Sequence, residues 1–520
     1  MRPWISALAG SALAWSTAAH ADWMEASSPH FVVYADTSER EITRFAEDLE
    51  LYHHAMEAIT GLELPDPSPS NRLTVFVVAS EYRVQKLFGR GGAYVGGFYV
   101  PRAGDSIAII PVVHAIDGQQ SYSMIALLHE YAHHFLISNS DLPPPHWMAE
   151  GAAEFFASAE FPSEGGIKIG MPANQRAGEL FYAKNVPVEK LLTPGVYANG
   201  ASKGFDSFYG KSWLLYHYLA ISGRRPGQLK TYVSLLGKGE DSLQAGRDAF
   251  GDLRALDKEL DKYLRQKTLN AFVFAPGKLP AGHVAVRALG DGEAEIMPDV
   301  IQTRRGVNQE LAKAVLEDVH KIAARYPSDP AVLTELAEAE CDAGNFDASA
   351  AAADAALALD PKRLRAYYQK GRALFAAAEE APETDKAAAF RNAVQPFLAL
   401  NRLENDNPLP LIYYFRSFVE RNTKPSNDAV LGLTRAAELA PYDLELRLNL
   451  AEYQIGAADY ADARGNLVPI AYEPHGSPMS TGARTLIERI DSGKPPTEQE
   501  ASAIMESSMK AAQAEKAGSV

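Results

Sequence analysis

One stretch, residues 124–156, constrains the fold of this 520-residue chain more than any other. It holds two apolar runs, each long enough for a helix, and three consecutive prolines, Pro143 to Pro145, lie between them. A helix cannot continue through such a break, because proline has no backbone N–H to donate and its ring clashes with the preceding turn. We therefore expect two buried helices that are joined by a turn.

The first apolar run contains the pattern His-Glu-x-x-His, formed by His129, Glu130 and His133. Residues four apart lie on one face of a helix, so the two imidazoles can converge on one ion. Neutral imidazole is a good ligand for Zn²⁺, and a catalytic zinc has three protein ligands and one position open to water. Glu130 stands beside that position, where a carboxylate can accept the proton of the water.

A third ligand is available on the second apolar run. Glu150 follows His133 by seventeen residues, and the proline break between them allows the two helices to fold back on each other. Glu154, one turn further on, can accept the other ring N–H of a ligating histidine and fix its tautomer. The expected metal ligands are therefore His129, His133 and Glu150, with Glu154 behind them.

These residues carry a resemblance to a known family. The stretch from His129 to His133, followed by Pro145 to Gly151, resembles the gluzincins of the MA peptidase clan, and in particular the bacterial peptidase MA-like domains. The resemblance implies an α+β zincin-like catalytic domain in which His129, His133 and Glu150 bind zinc and Glu130 is the general base. Its wider extent is residues 22–266. No G-x-M-E-N segment is present, so the amino-terminal recognition of aminopeptidases is not implied.

Peptidases of this superfamily usually donate a tyrosine or histidine from a downstream helix to the developing oxyanion. On the helical run over residues 205–221, Tyr209 is the first choice for this role and His217 the second. Further histidines have no ligand spacing and are expected to be structural or solvated: His53, His54, His114, His134 and His146.

The amino terminus has the features of a secretory signal. Arg2 provides a positive charge, residues 5–15 are apolar, and Ala19-His20-Ala21 is a cleavage site before Asp22. The alternative, an uncleaved anchor, is disfavoured because the apolar run is shorter than the ~20 residues that span a bilayer. We expect an exported protein, periplasmic rather than fully secreted, with no integral membrane segment after signal removal.

Composition limits the partners and the covalent chemistry. The net charge of −16 argues against a nucleic-acid partner and against binding to an anionic membrane surface. The single cysteine, Cys341, excludes an internal disulfide framework and is expected to be a buried core residue.

The remaining amino-terminal part is predicted to be a mixture of helices and strands. Strands are expected over 30–35 and 73–79, on either side of a helix over 38–60, and helices over 205–221, 228–236 and 253–266. A further strand pair, 94–100 and 106–111, is joined by Arg102 to Asp105. In gluzincins a strand near the zinc helix pairs with extended substrate. Either strand of this pair could serve, or either could be an interior strand.

From about Gly306 the sequence becomes rich in alanine, leucine and glutamate, with a regular spacing of prolines. The gaps of 34, 47, 33 and 33 residues separate Pro327, Pro361, Pro408, Pro441 and Pro474. Three of these gaps match the 34-residue tetratricopeptide helix-turn-helix unit, and the longer one indicates an insertion near residues 379–385. Coincidental periodicity of alanine-rich helices is the alternative.

The predicted domain order is a signal peptide (1–21), a peptidase MA-like domain (22–269), a linker (270–305), a tetratricopeptide-repeat domain (306–480) and a C-terminal helix with a polar tail (481–520). Residues 283–289 resemble a short strand, so the segment after residue 269 is either a linker or a small interdomain element. Beyond Lys494 the tail is expected to be frayed or disordered. Repeats of this type resemble arrays that bind peptides or partner proteins; alternatively, they only pack on the catalytic domain and stabilise it.

The leading interpretation is an exported zinc metallopeptidase that acts on a peptide or protein substrate and has a C-terminal repeat domain. The alternative is a non-catalytic periplasmic scaffold whose peptidase-like domain is kept for its fold and whose repeats bind partner proteins. A third interpretation, a zinc-stabilised binding domain with a closed site, is disfavoured because a structural site needs no base such as Glu130.

Overall fold

The computed structural model describes residues 23–62, 65–89, 95–111, 121–138, 144–197, 205–473 and 476–518, with side chains described as far as Lys510. The predicted signal peptide, His114 and Pro474 lie outside these residues.

Two β-sheets form in the amino-terminal part. Their strands are β1 (Trp23–Ser27), β2 (Phe31–Asp36), β3 (Leu73–Val78), β4 (Phe98–Val100), β5 (Ile107–Pro111), β6 (Ala159–Glu160), β7 (Ile167–Ile169), β8 (Phe272–Phe274) and β9 (Ala285–Ala288). The larger sheet has the order β4-β5-β3-β2-β1-β9, and the smaller one has the order β6-β7-β8. Strands β2, β3 and β5 are parallel, whereas β1, β4 and β9 pair antiparallel with their neighbours. The four predicted strands of this region are present.

Ten helices accompany these strands in the described residues. They are α1 (Glu39–Thr60), α2 (Glu81–Phe88), α3 (Tyr122–Ser138), α4 (His146–Ala157), α5 (Ala177–Tyr182), α6 (Val188–Leu192), α7 (Phe208–Ile221), α8 (Gln228–Gly237), α9 (Ser242–Phe250) and α10 (Leu253–Leu264). A capping box starts α1, because Ser38 and Glu41 each accept a hydrogen bond from the other's backbone N–H. Gly61 ends it at a φ of 70°. The helix predicted over 38–60 is confirmed.

The main core lies between the larger sheet and helices α1, α3, α4 and α7. Its largest buried side chains include Trp147 of α4 and Trp213 of α7. The two helices approach closely at Gly151, where an added Cβ would lie 2.5 Å from the carbonyl oxygen of Ser212. Glycine is therefore required beside Glu150, because any side chain would push α4 away from α7.

Residues 270–305 belong to the folded structure rather than to a linker, and the strand predicted over 283–289 is present as β9. Strand β8 completes the smaller sheet, β9 pairs with β1, and α11 (Asp291–Arg305) follows. On α11, Met297 and Ile301 are buried against the larger sheet, while Ile296 packs against the next helices of the chain. The short apolar runs among the prolines and glycines are the strands and the helix face that make these contacts.

The carboxyl-terminal part consists of helices. They are α12 (Gln309–Arg325), α13 (Pro330–Asp342), α14 (Phe346–Leu359), α15 (Leu364–Glu380), α16 (Glu383–Leu403), α17 (Pro408–Val419), α18 (Asn427–Leu439), α19 (Leu444–Gly456), α20 (Tyr460–Ala471), α21 (Pro478–Asp491) and α22 (Glu498–Gly518). Each helix packs against the next one in the sequence, in helix-turn-helix pairs. Within the described part of the chain, no helix is both long and apolar enough to cross a bilayer.

The periodic prolines mark the start of the helix pairs. Pro361 and Pro441 lie just before α15 and α19, and Pro408 is the first residue of α17. The repeat pattern is therefore confirmed as helical hairpins. In the longer unit, α15 and α16 have 17 and 21 residues, compared with 13 and 14 in α13 and α14. The insertion thus lengthens both helices on either side of the turn at residues 381–382.

Beyond Lys494 the structure differs from the frayed or disordered tail that the composition predicts. This segment forms α22, whose Ala501 and Met505 are buried against α21. A narrow apolar face on an otherwise polar helix is enough for this packing, and the average composition conceals it. Cys341 is buried in α13, as predicted.

The repeats pack directly onto the amino-terminal part through the turn between β4 and β5. Ala103 is buried among α17, α18 and α19, and its backbone N–H donates to Asp443 Oδ2 at 2.8 Å. Asp105 forms ion pairs with Arg304 of α11 and Arg365 of α15. These contacts agree with the interpretation that the repeats pack on the first domain and stabilise it.

Candidate metal centre

Three residues of α3 and α4 bring their ligand atoms together. His129 and His133 lie one turn apart on α3, and their Nε2 atoms are 3.1 Å apart. Glu150 Oε2 of α4 is 3.3 Å from His129 Nε2 and 3.6 Å from His133 Nε2. All three residues are buried. The structure therefore places the predicted ligands in one compact triangle.

This triangle fits a tetrahedral zinc ion. Ligand atoms about 2.0–2.1 Å from a tetrahedral zinc are separated from each other by about 3.3–3.4 Å. The measured separations, 3.1–3.6 Å, span that value. Two imidazole nitrogens and one carboxylate oxygen are also the donor set of gluzincin-type zinc sites. By spacing and by chemistry, the residues present fit the metal.

Glu154 lies behind His129, where the sequence predicts it. Its Oε1 is 3.2 Å from His129 Nδ1, so it accepts the ring N–H and directs Nε2 towards the triangle. Two residues that the sequence analysis did not identify hold Glu154 in turn. Arg176 Nη2 donates to Oε1 at 2.5 Å, and Gln175 Nε2 donates to Oε2 at 3.0 Å. Both lie in a turn that carries no motif, so nothing in the sequence indicates them.

The electrostatics of the site favour a positive charge at the triangle. Burial acts to raise the pKa of Glu150, but His133 and His129 more than offset it, so this pKa is well below the usual value. For Glu154, burial is opposed by His129 and Arg176, which lower the pKa to about 2. Burial tends to lower the pKa of His129, yet the two carboxylates raise it to about 10. Two buried carboxylates that draw a cation to this position suit a divalent metal.

Glu130 is half-buried, whereas the candidate ligands His129 and His133 on the same helix are buried. Its charge acts to raise the pKa of His133. A partly accessible carboxylate next to a metal-binding face can exchange a proton with a water molecule or a substrate.

The two candidates for oxyanion stabilisation differ in their surroundings. Tyr209 of α7 is half-buried beneath the guanidinium of Arg176, at 4.6 Å from the ring centre. Burial and then the charge of Glu150 raise the pKa of its hydroxyl, which therefore remains protonated. His217 is fully buried, and its ring nitrogens contact Gly170 O at 2.9 Å and Tyr263 Oη at 3.0 Å. These contacts assign His217 to the core.

His146, which is expected from the sequence to be structural or solvated, lies beside the candidate ligands. Its Nδ1 donates to the carbonyl of Tyr197 at 2.5 Å, and its Nε2 is 3.6 Å from Glu150 Oε1. The i,i+4 spacing of His146 and Glu150 on α4 could have indicated this contact. The structural role expected for His134 agrees with its contact to Tyr99 Oη at 2.6 Å.

The sheet distinguishes the two strands considered for substrate pairing. Among the described strands, β4 pairs only with β5 and lies at the sheet edge, whereas β5 lies between β4 and β3. The contact between Tyr99 and His134 connects β4 to α3. Of these two strands, β4 is therefore the one that has an edge which no described strand covers, and it lies beside α3.

Comparisons with known proteins found only solved structures that align with part of the chain. No protein-family model matches the chain, and no curated protein matches it. Solved structures that align include a thermophilic TPR protein of Thermus thermophilus, with 16% identity, a TM-score of 0.32, and coverage of 37% of this chain and 97% of that one. MamA 41-end from Desulfovibrio magneticus RS-1 aligns with 17% identity, a TM-score of 0.27, and coverage of 34% and 93%. The MamA RS-1 ArsTM double mutant aligns with 17% identity, a TM-score of 0.27, and coverage of 34% and 92%.

These scores are too low to carry an argument about the whole chain. The description of the carboxyl-terminal part as helical hairpins rests on the chain's own α12 to α22.

Proposed function

We propose that this chain is an exported zinc metallopeptidase of the gluzincin type, which hydrolyses peptide bonds in a peptide or protein substrate. The observation that carries the proposal is the buried triangle of His129, His133 and Glu150, with separations of 3.1–3.6 Å. It is supported by Glu130, which a purely structural site does not need.

In this proposal His129, His133 and Glu150 hold the metal. When bound, zinc supplies Lewis acidity that lowers the pKa of a water molecule and polarises the scissile carbonyl. Glu130 takes the proton of the attacking water and later delivers it to the leaving amine. Glu154, held by Arg176, fixes the tautomer of His129 so that Nε2 faces the site.

Two further parts of the chain act on the substrate in this proposal. The Tyr209 hydroxyl, whose raised pKa keeps it protonated, donates a hydrogen bond to the developing oxyanion. The edge of β4 that pairs with no described strand provides backbone groups with which an extended peptide can pair. The helical hairpins hold β4 in place through the β4–β5 turn and offer a surface for a substrate or a protein partner.

The second candidate is a non-catalytic scaffold, in which the repeats bind partner proteins and the first domain serves as a support. The extensive helical hairpins favour it.

The experiment that separates the two candidates compares Glu130→Gln with the unchanged protein. Both are purified, analysed for zinc by mass spectrometry, and incubated with fluorescein-labelled casein and with a mixed library of quenched fluorescent peptides. The matched control is Glu164→Gln, which removes an exposed carboxylate. The peptidase proposal expects one zinc at this site in all three proteins and loss of hydrolysis by at least 100-fold in Glu130→Gln alone.

Zinc binding without hydrolysis in any of the proteins would favour the scaffold. Hydrolysis that survives in Glu130→Gln would refute the role of Glu130 as the base.

A further inference from the structure

A second cluster of histidines and carboxylates lies where β2 begins and α1 ends. His30 precedes β2, and Glu50, His54 and Glu57 are on the last three turns of α1. His30, Glu50 and His54 each offer one ligand atom, and these atoms lie within 4.8 Å of one another. The spacing along the sequence gives no indication of this cluster, because His30 is 24 residues away from His54.

A carboxylate orients each of the two imidazoles. Glu50 Oε2 is 2.8 Å from His30 Nδ1, and Glu57 Oε2 is 2.8 Å from His54 Nδ1. Glu154 holds His129 in the same way in the first site. When a carboxylate accepts a hydrogen bond from the Nδ1–H of a histidine, the neutral ring has its lone pair on Nε2. This is the form that ligates a metal.

The two rings are also spaced as metal-binding histidines are. The centres of two imidazoles that share one zinc through Nε2 lie about 5–6 Å apart. The ring centres of His30 and His54 are 5.7 Å apart, and the rings are nearly perpendicular, at 86°. The corresponding values for His129 and His133 are 4.7 Å and 80°.

One ligand nitrogen of this cluster is buried without a hydrogen bond. Within the part of the chain that the structure describes, His30 Nε2 has no hydrogen-bond partner, and the His30 side chain is only 5% exposed. The nearest carboxylate is Asp66, whose Oδ1 is 3.8 Å away, too far for a hydrogen bond. A metal ion between them would satisfy the nitrogen and bring in a carboxylate ligand.

The buried carboxylate of the cluster also favours a cation. Within the described residues Glu50 is completely buried and pairs with His30, and no lysine or arginine forms an ion pair with it. A carboxylate that is buried in this way is stabilised by a cation next to it.

We propose that this cluster is a second site for a zinc-type divalent cation, which His30, Glu50 and His54 surround, with Glu57 orienting His54 and Asp66 next to the open side of His30. The site ties the end of α1 and the loop that follows it to the start of β2. Its position does not depend on the proposed peptidase activity. It contacts the first site's helix through His53, whose Nδ1 lies 2.7 Å from Tyr131 Oη of α3.

The test counts metal ions. The full chain is saturated with zinc, dialysed, and analysed by mass spectrometry, and its thermal midpoint is measured with and without a chelator. The variants are His54→Ala, Glu150→Ala and the double variant, and the control is His283→Ala, which changes an exposed histidine. Asp66→Asn is a second probe of the site, because Asp66 is 81% exposed and its substitution leaves the core intact.

We expect two zinc ions in the unchanged protein and in His283→Ala, one in each single variant, and none in the double variant. Asp66→Asn should weaken zinc binding at the second site by at least tenfold. One zinc that is lost in Glu150→Ala and kept in His54→Ala overturns this inference and leaves the first site intact; the His30–Glu50 pair is then held by a proton. One zinc with the opposite pattern supports the second site and refutes the first. No zinc in any protein overturns both.

Discussion

The ion pairs of Asp105 connect the repeats to the first domain, and substituting this residue measures how much they contribute to stability. Asp105→Asn removes the charge with almost no change in side-chain volume. Its carboxylate lies between Arg304 and Arg365, whose side chains are 14% and 25% exposed. Burial and the nearby Arg365 already lower the pKa of Arg304, so this guanidinium depends on its carboxylate partner. Arg365 keeps Glu338, whose Oε2 is 2.6 Å from Nη2. The main cost of the substitution is therefore one uncompensated charge, that of Arg304.

Removing one partner of a buried ion pair costs about 3–5 kcal/mol, and the remaining Glu338 places Asp105→Asn near the lower end, about 3 kcal/mol. For a large cooperative unit this corresponds to a fall of roughly 5–10 °C in the thermal midpoint. The matched control is Asp491→Asn, since Asp491 pairs with Arg464 at 2.7 Å while both side chains are about half exposed. An exposed pair of this kind contributes about 0–1 kcal/mol.

The assay is circular dichroism during heating of both variants and of the unchanged protein in the same buffer. Limited proteolysis reports whether the two parts have separated, because an undocked β4–β5 turn becomes a site for cleavage. A thermal midpoint of Asp105→Asn that equals that of Asp491→Asn would refute the reasoning, since it would mean that the Asp105 cluster contributes no more than a surface pair.

Three further predictions concern the site and the stability of the chain. Gly151→Ala should lower the free energy of unfolding by about 1–3 kcal/mol in chemical denaturation, because its methyl group would lie 2.5 Å from a backbone oxygen of α7. The control is Gly178→Ala, whose methyl group would meet nothing within 4 Å and should leave the stability unchanged. Arg176→Gln should weaken zinc binding at the first site by about 10–100-fold in a chelator competition, because Glu154 loses the guanidinium that donates to it at 2.5 Å. An unchanged zinc affinity would contradict the role of Arg176 in holding Glu154. Burial raises the pKa of Asp299 to about 6 from 3.8, so the folded state keeps this proton to higher pH than the unfolded state and loses stability as the pH rises from about 4 to 6. Asp299→Asn should therefore raise the free energy of unfolding by roughly 1–2 kcal/mol above pH 6 and leave it unchanged below pH 4; an equal effect at both pH values would contradict this assignment.

Much of the architecture could be predicted from the sequence because it depends on neighbours along the chain. Ser38 and Glu41 form their capping box within one turn, and the prolines before α15, α17 and α19 act on the residues next to them. The spacing of His129 and His133 likewise fixes their common face on a helix. Glu150 is predictable for a related reason, since the proline break leaves few ways for two adjacent helices to pack.

Other features exist only because residues far apart in the sequence meet in the fold. The sequence of residues 270–305, with short apolar runs among prolines and glycines, resembles a linker. These runs become strands because they pair with the edges of β1 and β7. The helix after Lys494 forms because α21 covers the narrow face that contains Ala501 and Met505.

The helices, the repeat period and the candidate ligands on adjacent turns can be predicted from the sequence alone, because each of these follows from local backbone geometry. The residues that hold and surround them are known only from the tertiary structure. Arg176 reaches Glu154 from a separate turn, His30 meets His54 across the start of β2, and Asp105 lies among arginines of the repeats. Such contacts depend on how whole helices and strands pack, and this packing cannot be predicted from the spacing of residues along the chain.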